Sequence, residues 1–208
     1  CIDPNLIEKA ITSKTAAIMA VHLTGRMCEM DKIMAISRKY KIPVIEDAAQ
    51  SIGSKYQNRF SGSVGSIGCF SAHPLKNLNA LGDSGYLTTN NSKIASYIKD
   101  LRNHGMTQRN VIKNFGHVSR MDNLQAAILK FRLKNLNKII KKRRENAKNY
   151  MKFLNKKNVF FPKETNKEFN TYHTFVIQVK NRDKLKKYLL KKGIETSIHY
   201  PIPIHLQP

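Results

Sequence analysis

The chain has 208 residues, of which 41% are hydrophobic, and its 37 Lys and Arg outnumber its 14 Asp and Glu to give a net charge of +23. The apolar residues form periodic clusters, which argues against a disordered chain, and no apolar run approaches the ~20 residues that a bilayer-spanning helix needs. Because Cys1, Cys28 and Cys69 are widely spaced and form no CxxC or Cys/His cluster, we expect no metal site, no disulfide framework and a cytoplasmic location.

The first hundred residues predict an alternation of helices and strands. An Asp-Pro pair at 3–4 has the character of a helix N-cap and first helical position. Short apolar runs end in polar residues, as strands of a covered sheet do. Helix and strand in alternation indicate an α/β fold, with a mostly parallel sheet covered by helices. The predicted helices are 4–12, 30–40 and 92–102, and the predicted strands are 16–21, 43–46, 67–72 and 86–89.

The second half of the chain has a different rhythm. Residues 104–119 look irregular, and two helices are predicted after them, from 121 to about 136 and on to about 154. A strand over 172–179, a helix over 182–192 and a strand over 194–199 then predict a small α+β unit. We expect residues 1–110 to belong to one domain and residues 111–208 to the connecting helices and a second, smaller domain.

The positive charge is concentrated in residues 111–160, which hold 14 Lys and Arg but 2 Asp and Glu, with the run 141–144 (KKRR) at the centre. A surface of this kind attracts polyanions, so a basic nucleic-acid-binding module is one alternative. Apolar stripes at helical spacing, 129/133/136/140 and 124/128/131, favour another interpretation, in which the basic residues are mostly the solvated face of packed helices. Nucleic acid is therefore an unlikely partner, whereas a phosphate-bearing small substrate is compatible with the charge.

Two residues with complementary chemistry follow neighbouring strands. Asp47 and Lys76 each come just after the carboxyl end of a predicted parallel strand, where open α/β sheets bind ligands. A desolvated lysine is a nucleophilic amine, and a carboxylate can keep a pyridine nitrogen protonated. With the Ser71 hydroxyl for a phosphate, these groups match the three ends of pyridoxal 5′-phosphate. A loop acid and a solvated loop lysine are the alternatives.

Several segments in sequence order resemble the DegT/DnrJ/EryC1/StrS family of sugar aminotransferases. They are 21–25 (VHLTG), 44–51 (VIEDAAQS), 70–77 (FSAHPLKN), 82–85 (GDSG), 119–122 (SRMD), 124–129 (LQAAIL) and 199–205 (HYPIPIH). The resemblance implies the aspartate-aminotransferase-like fold, fold type I of the pyridoxal-phosphate-dependent transferases. It also implies a fragment that lacks the N-terminal and C-terminal ends of the family.

The resemblance assigns roles to matched positions. Lys76 resembles the lysine that holds the cofactor as a Schiff base, and Asp47 resembles the partner of the pyridine nitrogen. Gln50 resembles a residue that packs against the ring, and Ser71 resembles a phosphate ligand. His73 would either contact the substrate or form hydrogen bonds within its loop, and His199 would lie near the substrate. The implied reaction is amino transfer, from glutamate as donor, to a nucleotide-linked keto sugar by a homodimer in glycoconjugate or polysaccharide synthesis.

Two positions depart from the family pattern. Val118 stands where an Asn that reaches a neighbouring subunit's cofactor phosphate is usual, and Ser84 stands where a second glycine is common. A catalytically impaired or regulatory relative therefore stays an alternative to the aminotransferase.

Overall fold

The computed structural model describes residues 1–154 and 157–208 as six helices and nine short strands. The helices are α1 (Pro4–Ala10), α2 (Met30–Tyr40), α3 (Ser92–Leu101), α4 (Asn123–Leu133), α5 (Leu136–Phe153) and α6 (Arg182–Lys191), with 3₁₀ turns at Leu23–Gly25 and Ile204–Leu206. The strands are β1 (Ile18–Val21), β2 (Val44–Asp47), β3 (Lys55–Tyr56), β4 (Arg59–Phe60), β5 (Ile67–Ser71), β6 (Gly85–Thr88), β7 (Met106–Gln108), β8 (Val111–Ile112) and β9 (Glu168–Phe169). Within the described ranges, none of the helices has the length and apolar character needed to cross a membrane.

The central sheet has the order β1-β2-β5-β6, and its first three strands are parallel while β6 runs antiparallel to β5. The prediction of a mostly parallel sheet is confirmed. One face packs on α1 and α2, because alternate residues of β1 and β2 point into a shared apolar core. That core comprises Ile7, Ile18, Ala20, Met27, Cys28, Met30, Ile33, Ile36, Ile42, Val44, Tyr56 and Val64.

The predicted cap of the first helix is confirmed. The Asp3 carboxylate accepts a hydrogen bond of 2.9 Å from the backbone N–H of Asn5, and Pro4 occupies the first helical position. Such a cap satisfies one of the N–H groups that the first turn leaves without an intrahelical partner.

A buried hydrogen-bonded pair of side chains lies under the end of β2. The His22 Nδ1 accepts the backbone N–H of Cys28, so its Nε2 carries the proton and donates to Glu46 over 2.8 Å. The Glu46 carboxylate also accepts three backbone N–H groups of segment 62–65. Burial by itself raises the pKa of Glu46, but the bonds from His22 and from the backbone outweigh it, and the pKa is lowered. The two side chains thus tie the loop after β4 to the sheet.

A second core forms where α4 and α5 meet the loop after β5. It consists of Ala72, Leu78, Ala80, Leu129, Leu136 and Ile140. Three members of the first predicted stripe are therefore buried, whereas Leu133 is exposed. Leu124 and Phe131 of the second stripe are also exposed.

The strands expected over 172–179 and 194–199 are wrong. A strand needs a backbone partner, and among the described residues the first segment forms only one isolated bridge, Gln178 with Phe160. The backbone of residues 170–173 is bonded instead to arginine side chains and to the loop at Gly25. Residues 104–119, expected to be irregular, contain the β7–β8 hairpin.

The domain division near residue 110 stays a prediction. Hydrogen-bonded contacts cross it, since β3 pairs with β9 and Arg26 donates to Glu168 over 2.8 Å.

Candidate active site

Asp47 and Ser71 end two adjacent parallel strands and share one face of the sheet. Asp47 lies opposite Cys69 in the register, and Ser71 follows Cys69 by two residues, the repeat that returns a side chain to the same face. The pKa of Cys69 is raised by burial and, to a lesser degree, by the Asp47 charge, which fits this arrangement. The face is opposite the one that packs on α1 and α2, and Met19 and Val21 of β1, which share it, are exposed.

Both side chains keep free hydrogen-bonding capacity. One oxygen of the half-buried Asp47 carboxylate accepts the N–H of Ala49 over 3.0 Å, and the other has no partner within the described chain. The Ser71 hydroxyl accepts only a long bond of 3.4 Å, from the N–H of His73. An incoming group could therefore bind a carboxylate oxygen and a hydroxyl at this edge.

Lys76 lies in the loop that follows β5, beyond the same edge of the sheet. Its backbone N–H donates to the carbonyl of His73 over 2.9 Å, and its half-buried side chain has no hydrogen bond or ion pair in the part of the chain described. The neighbouring Asn77 is 4% exposed, and both atoms of its amide group are without a hydrogen-bond partner there. Buried amides are normally paired, so this loop has the polarity of a binding site.

His73 has a local role in the structure. Its Nδ1 accepts the N–H of Leu75 over 3.2 Å, and its Nε2 lies 3.9 Å from a carboxylate oxygen of Asp83. These contacts shape the Lys76 loop, and they leave contact of His73 with a substrate a prediction.

Gln50 connects the sheet edge to the end of the chain. Its carbonyl oxygen accepts the N–H of Thr24 over 2.7 Å, and its amide nitrogen donates to the Tyr200 hydroxyl over 3.1 Å. His199 is exposed, and its ring meets the ring of Tyr200 edge-on at 4.9 Å. The late motif at 199–205 thus lies against the residues that follow β2.

His173 is a site residue that the sequence analysis missed. Its Nδ1 is buried without a hydrogen-bond partner among the described residues. Burial lowers the pKa of His173 to about 4, with further lowering by the charges of Lys76, Arg143 and His199. The ring is therefore neutral at physiological pH and lies among groups from the Lys76 loop, from α5 and from the late motif. The assignment of residues 172–179 to a strand hid this residue.

The two arginines of segment 141–144 are exceptions to the mostly solvated basic face that was expected. Arg144 makes a two-pronged ion pair with Glu164, at 2.7 and 3.0 Å, and donates to the carbonyl of Asn170. Arg143 is half-buried and donates to the carbonyls of Tyr172 and His173, at 3.4 and 2.9 Å. Desolvation lowers the pKa of Arg143. The two lysines of the run are exposed, as expected.

A glycine permits the segment before His173 to approach the sheet. Gly25 has φ +95°, and a Cβ there would lie 2.7 Å from the backbone nitrogen of Tyr172. Its carbonyl accepts both the N–H of Thr171, at 3.0 Å, and the hydroxyl of Ser54, at 2.7 Å. The position of His173 beside the Lys76 loop is thus fixed from both sides.

Comparison with known proteins places this arrangement in a family. The model of the DegT/DnrJ/EryC1/StrS aminotransferase family matches residues 1–208. The chain belongs to this family. It is 44% identical over 208 residues to the dTDP-3-amino-3,6-dideoxy-alpha-D-galactopyranose transaminase of Aneurinibacillus thermoaerophilus, covering 99% of this chain and 57% of that protein.

Solved structures of the family share the fold. DesV of S. venezuelae, in complex with a ketimine intermediate, superposes with a TM-score of 0.95 at 36% identity, over 100% of this chain and 56% of that one. NtdA of Bacillus subtilis, with bound cofactor PMP, gives 0.91 at 35% identity, over 100% and 48%. The expected aminotransferase fold is confirmed. The chain spans about half the length of the relatives it matches.

The residues of this family member fit a pyridoxal cofactor. Within residues 1–154 and 157–208, the donor set offers an amine without a partner at Lys76, a free carboxylate oxygen at Asp47 and a hydroxyl at Ser71. These are the groups that an aldehyde, a ring nitrogen and a phosphate bind. The unpaired amide of Asn77 adds buried polarity next to Lys76.

Proposed function

We propose that the protein containing this chain is a pyridoxal-phosphate-dependent aminotransferase that moves an amino group, from glutamate, to a nucleotide-linked keto sugar. One observation carries the proposal. Asp47 ends β2, and Lys76 lies in the loop that follows the adjacent parallel strand β5. In the described chain, neither the Lys76 amine nor one of the two Asp47 carboxylate oxygens has a partner. Unpaired complementary groups at such an edge are typical of a ligand site.

Four side chains would hold the cofactor. Lys76 would bind its aldehyde carbon through Nζ, and Asp47 would accept a hydrogen bond from the protonated ring nitrogen. Ser71 would donate to the phosphate, and Gln50 would lie against the ring while it keeps its bond to Tyr200. When bound, pyridoxal phosphate supplies an electron sink for the negative charge that develops as a carbon loses its proton.

Lys76 is also the base of the reaction. In the first half-reaction the donor's amine would replace it on the aldehyde carbon, and the freed Lys76 amine would then carry the proton from Cα of the donor to that carbon. In the second it delivers a proton to the sugar carbon that receives the nitrogen. The Asp47 carboxylate maintains the charge state of the ring nitrogen throughout, because a neighbouring negative charge favours a protonated nitrogen.

Charge and family support a nucleotide sugar as substrate. The net charge of +23 suits a substrate that carries a diphosphate. The relatives include transaminases of dTDP-linked sugars and a UDP-2-acetamido-2-deoxy-3-oxo-D-glucuronate aminotransferase. We further propose a homodimer that works in polysaccharide or glycoconjugate synthesis, and a cytoplasmic location, with which the three free cysteines are compatible.

Transamination by the full-length protein tests the proposal. With glutamate and a dTDP- or UDP-linked keto sugar, we expect release of 2-oxoglutarate and an amino sugar. Removal of the general base by Lys76→Ala should lower turnover at least about 10²–10⁴-fold, whereas Lys93→Ala, at an exposed lysine of α3, should leave turnover unchanged.

Three outcomes would contradict the aminotransferase. Unimpaired turnover by the Lys76→Ala variant would remove the proposed base. Cofactor binding without turnover of any combination of amino donor and keto-sugar acceptor would favour the regulatory relative. Steeply salt-dependent nucleic-acid binding without a chromophore would favour the basic binding module.

A further inference from the structure

Arg143 is a partly buried cation for which the described chain provides no counter-ion. Its Nη1 donates to two backbone carbonyls, its other N–H groups have no partner in residues 1–154 and 157–208, and no carboxylate lies within 4.0 Å. A guanidinium carries five N–H donors in a fixed fork. Charges that leave water normally gain a partner of opposite sign, so Arg143 has the character of a ligand-binding group.

The adjacent arginine, Arg144, has the counter-ion that Arg143 lacks within the described chain. Arg144 is likewise half-buried, but Glu164 takes both prongs of its guanidinium and Phe169 lies under it, 4.2 Å from the guanidinium carbon to the ring centre. The two arginines are adjacent on α5, yet among the described residues an acid from outside the helix pairs with Arg144 and none pairs with Arg143.

The histidine next to Arg143 has basic neighbours of its own. His173, whose carbonyl Arg143 holds, is under the electrostatic influence of Lys76 and His199, and no acid contributes to that influence. The Nδ1 of His173 is buried and unpartnered within the described ranges. A group of basic side chains with spare hydrogen-bonding capacity and no carboxylate suits an oxyanion.

We propose that Arg143, together with the neighbouring His173, forms a subsite for an anionic group of a substrate. This inference rests on the proposed function. Two substrates carry such a group, the amino donor with its carboxylates and the nucleotide sugar with its diphosphate. A carboxylate is a planar oxyanion and a phosphate is a tetrahedral one. A guanidinium fork binds either group through two parallel hydrogen bonds.

Equilibrium binding to the full-length holoenzyme tests the subsite and separates the two sources. We would titrate 2-oxoglutarate in one arm and dTDP and UDP in the other, at fixed ionic strength, by calorimetry. Loss of a charged, two-pronged contact in Arg143→Gln should weaken one arm about 10–100-fold and leave the other within about twofold. Lys142→Gln, which removes an exposed charge one residue away, should change neither arm by more than about twofold.

A conservative variant guards against a folding defect. If Arg143→Gln fails to fold, Arg143→Lys keeps the charge and one donor to the carbonyls but loses the fork, and we expect the sensitive arm to weaken about fivefold or more. Three results would each overturn the subsite. They are equal weakening by the Arg143 and Lys142 variants, wild-type binding by the folded Arg143 variant, and no binding of either probe to the wild-type protein.

The same samples distinguish failure of the subsite from failure of the proposed function. Absence of a pyridoxal chromophore in the wild-type protein contradicts the aminotransferase. Binding of an oxyanion probe that depends on Arg143 would still support the subsite in that case.

Discussion

Two titratable residues decide much of the local structure around the site. Glu46 is wholly buried, yet its carboxylate accepts bonds from His22 and from three backbone N–H groups. Its neighbour in the sequence, Asp47, keeps one oxygen free. Adjacent acids on one strand point to opposite faces, so Glu46 faces the core and Asp47 faces the other side of the sheet.

The Glu46 cluster predicts a large loss of stability in Glu46→Gln. A glutamine would place an NH₂ group against N–H donors and would remove the charge that His22 faces. We expect the free energy of unfolding to fall by about 3–5 kcal/mol, as measured by urea denaturation. Glu145→Gln, at an exposed position of α5, should change it by less than about 0.5 kcal/mol. A loss below about 1 kcal/mol in Glu46→Gln would contradict this view of the cluster.

His173 predicts a pH dependence of stability. Its pKa is about 4 in the folded protein against 6.5 for an ordinary histidine, so between these values the unfolded chain binds more protons. Stability should therefore fall as the pH is lowered through this window, and it should be unaffected by this residue above it. Urea denaturation at pH 7 and pH 5 should show a larger difference for the wild type than for His173→Gln. Equal differences would mean that His173 is not held neutral.

At the scale of elements, the loop after β1 and segment 170–173 depend on one glycine. Gly25→Ala would impose a left-handed backbone on a residue with a Cβ and would drive that Cβ into the backbone of Tyr172 and His173. Gly193 is a matched control, because its φ is +75° and a Cβ there would meet nothing within 4 Å. We expect Gly193→Ala to cost about 1 kcal/mol and Gly25→Ala at least about 3 kcal/mol by thermal denaturation. Equal costs would show that the close approach at Gly25 is not tight.

Elements whose signal is local were predictable, and those that depend on distant partners were not. β1, β2 and β5 are apolar runs that end in polar residues, so Asp47 and Lys76 could be placed at the sheet edge from sequence. Residues 172–179 alternate like a strand, but arginines of α5 and the loop at Gly25 take the backbone groups of their first part. The sequence gives no sign of these arginine contacts, because a basic run is usually solvated. His173 was missed for the same reason.

For the molecule as a whole, the positive charge has two uses. The exposed lysines of α5 and α6 give the surface its excess charge, whereas Arg26, Arg143 and Arg144 bond to residues 164–173. Those three arginines, with the β3–β9 pair, connect the sheet and α5 to the later part of the chain. The connection brings His173 to the Lys76 loop.

Chemical trapping of the cofactor tests the central claim most directly. The purified full-length protein should be yellow, and borohydride should abolish its visible absorbance and fix the cofactor to the chain. Peptide mapping by mass spectrometry should then find a phosphopyridoxyl group on Lys76. A tag on another lysine, or a full-length protein that binds no pyridoxal phosphate, would contradict the account.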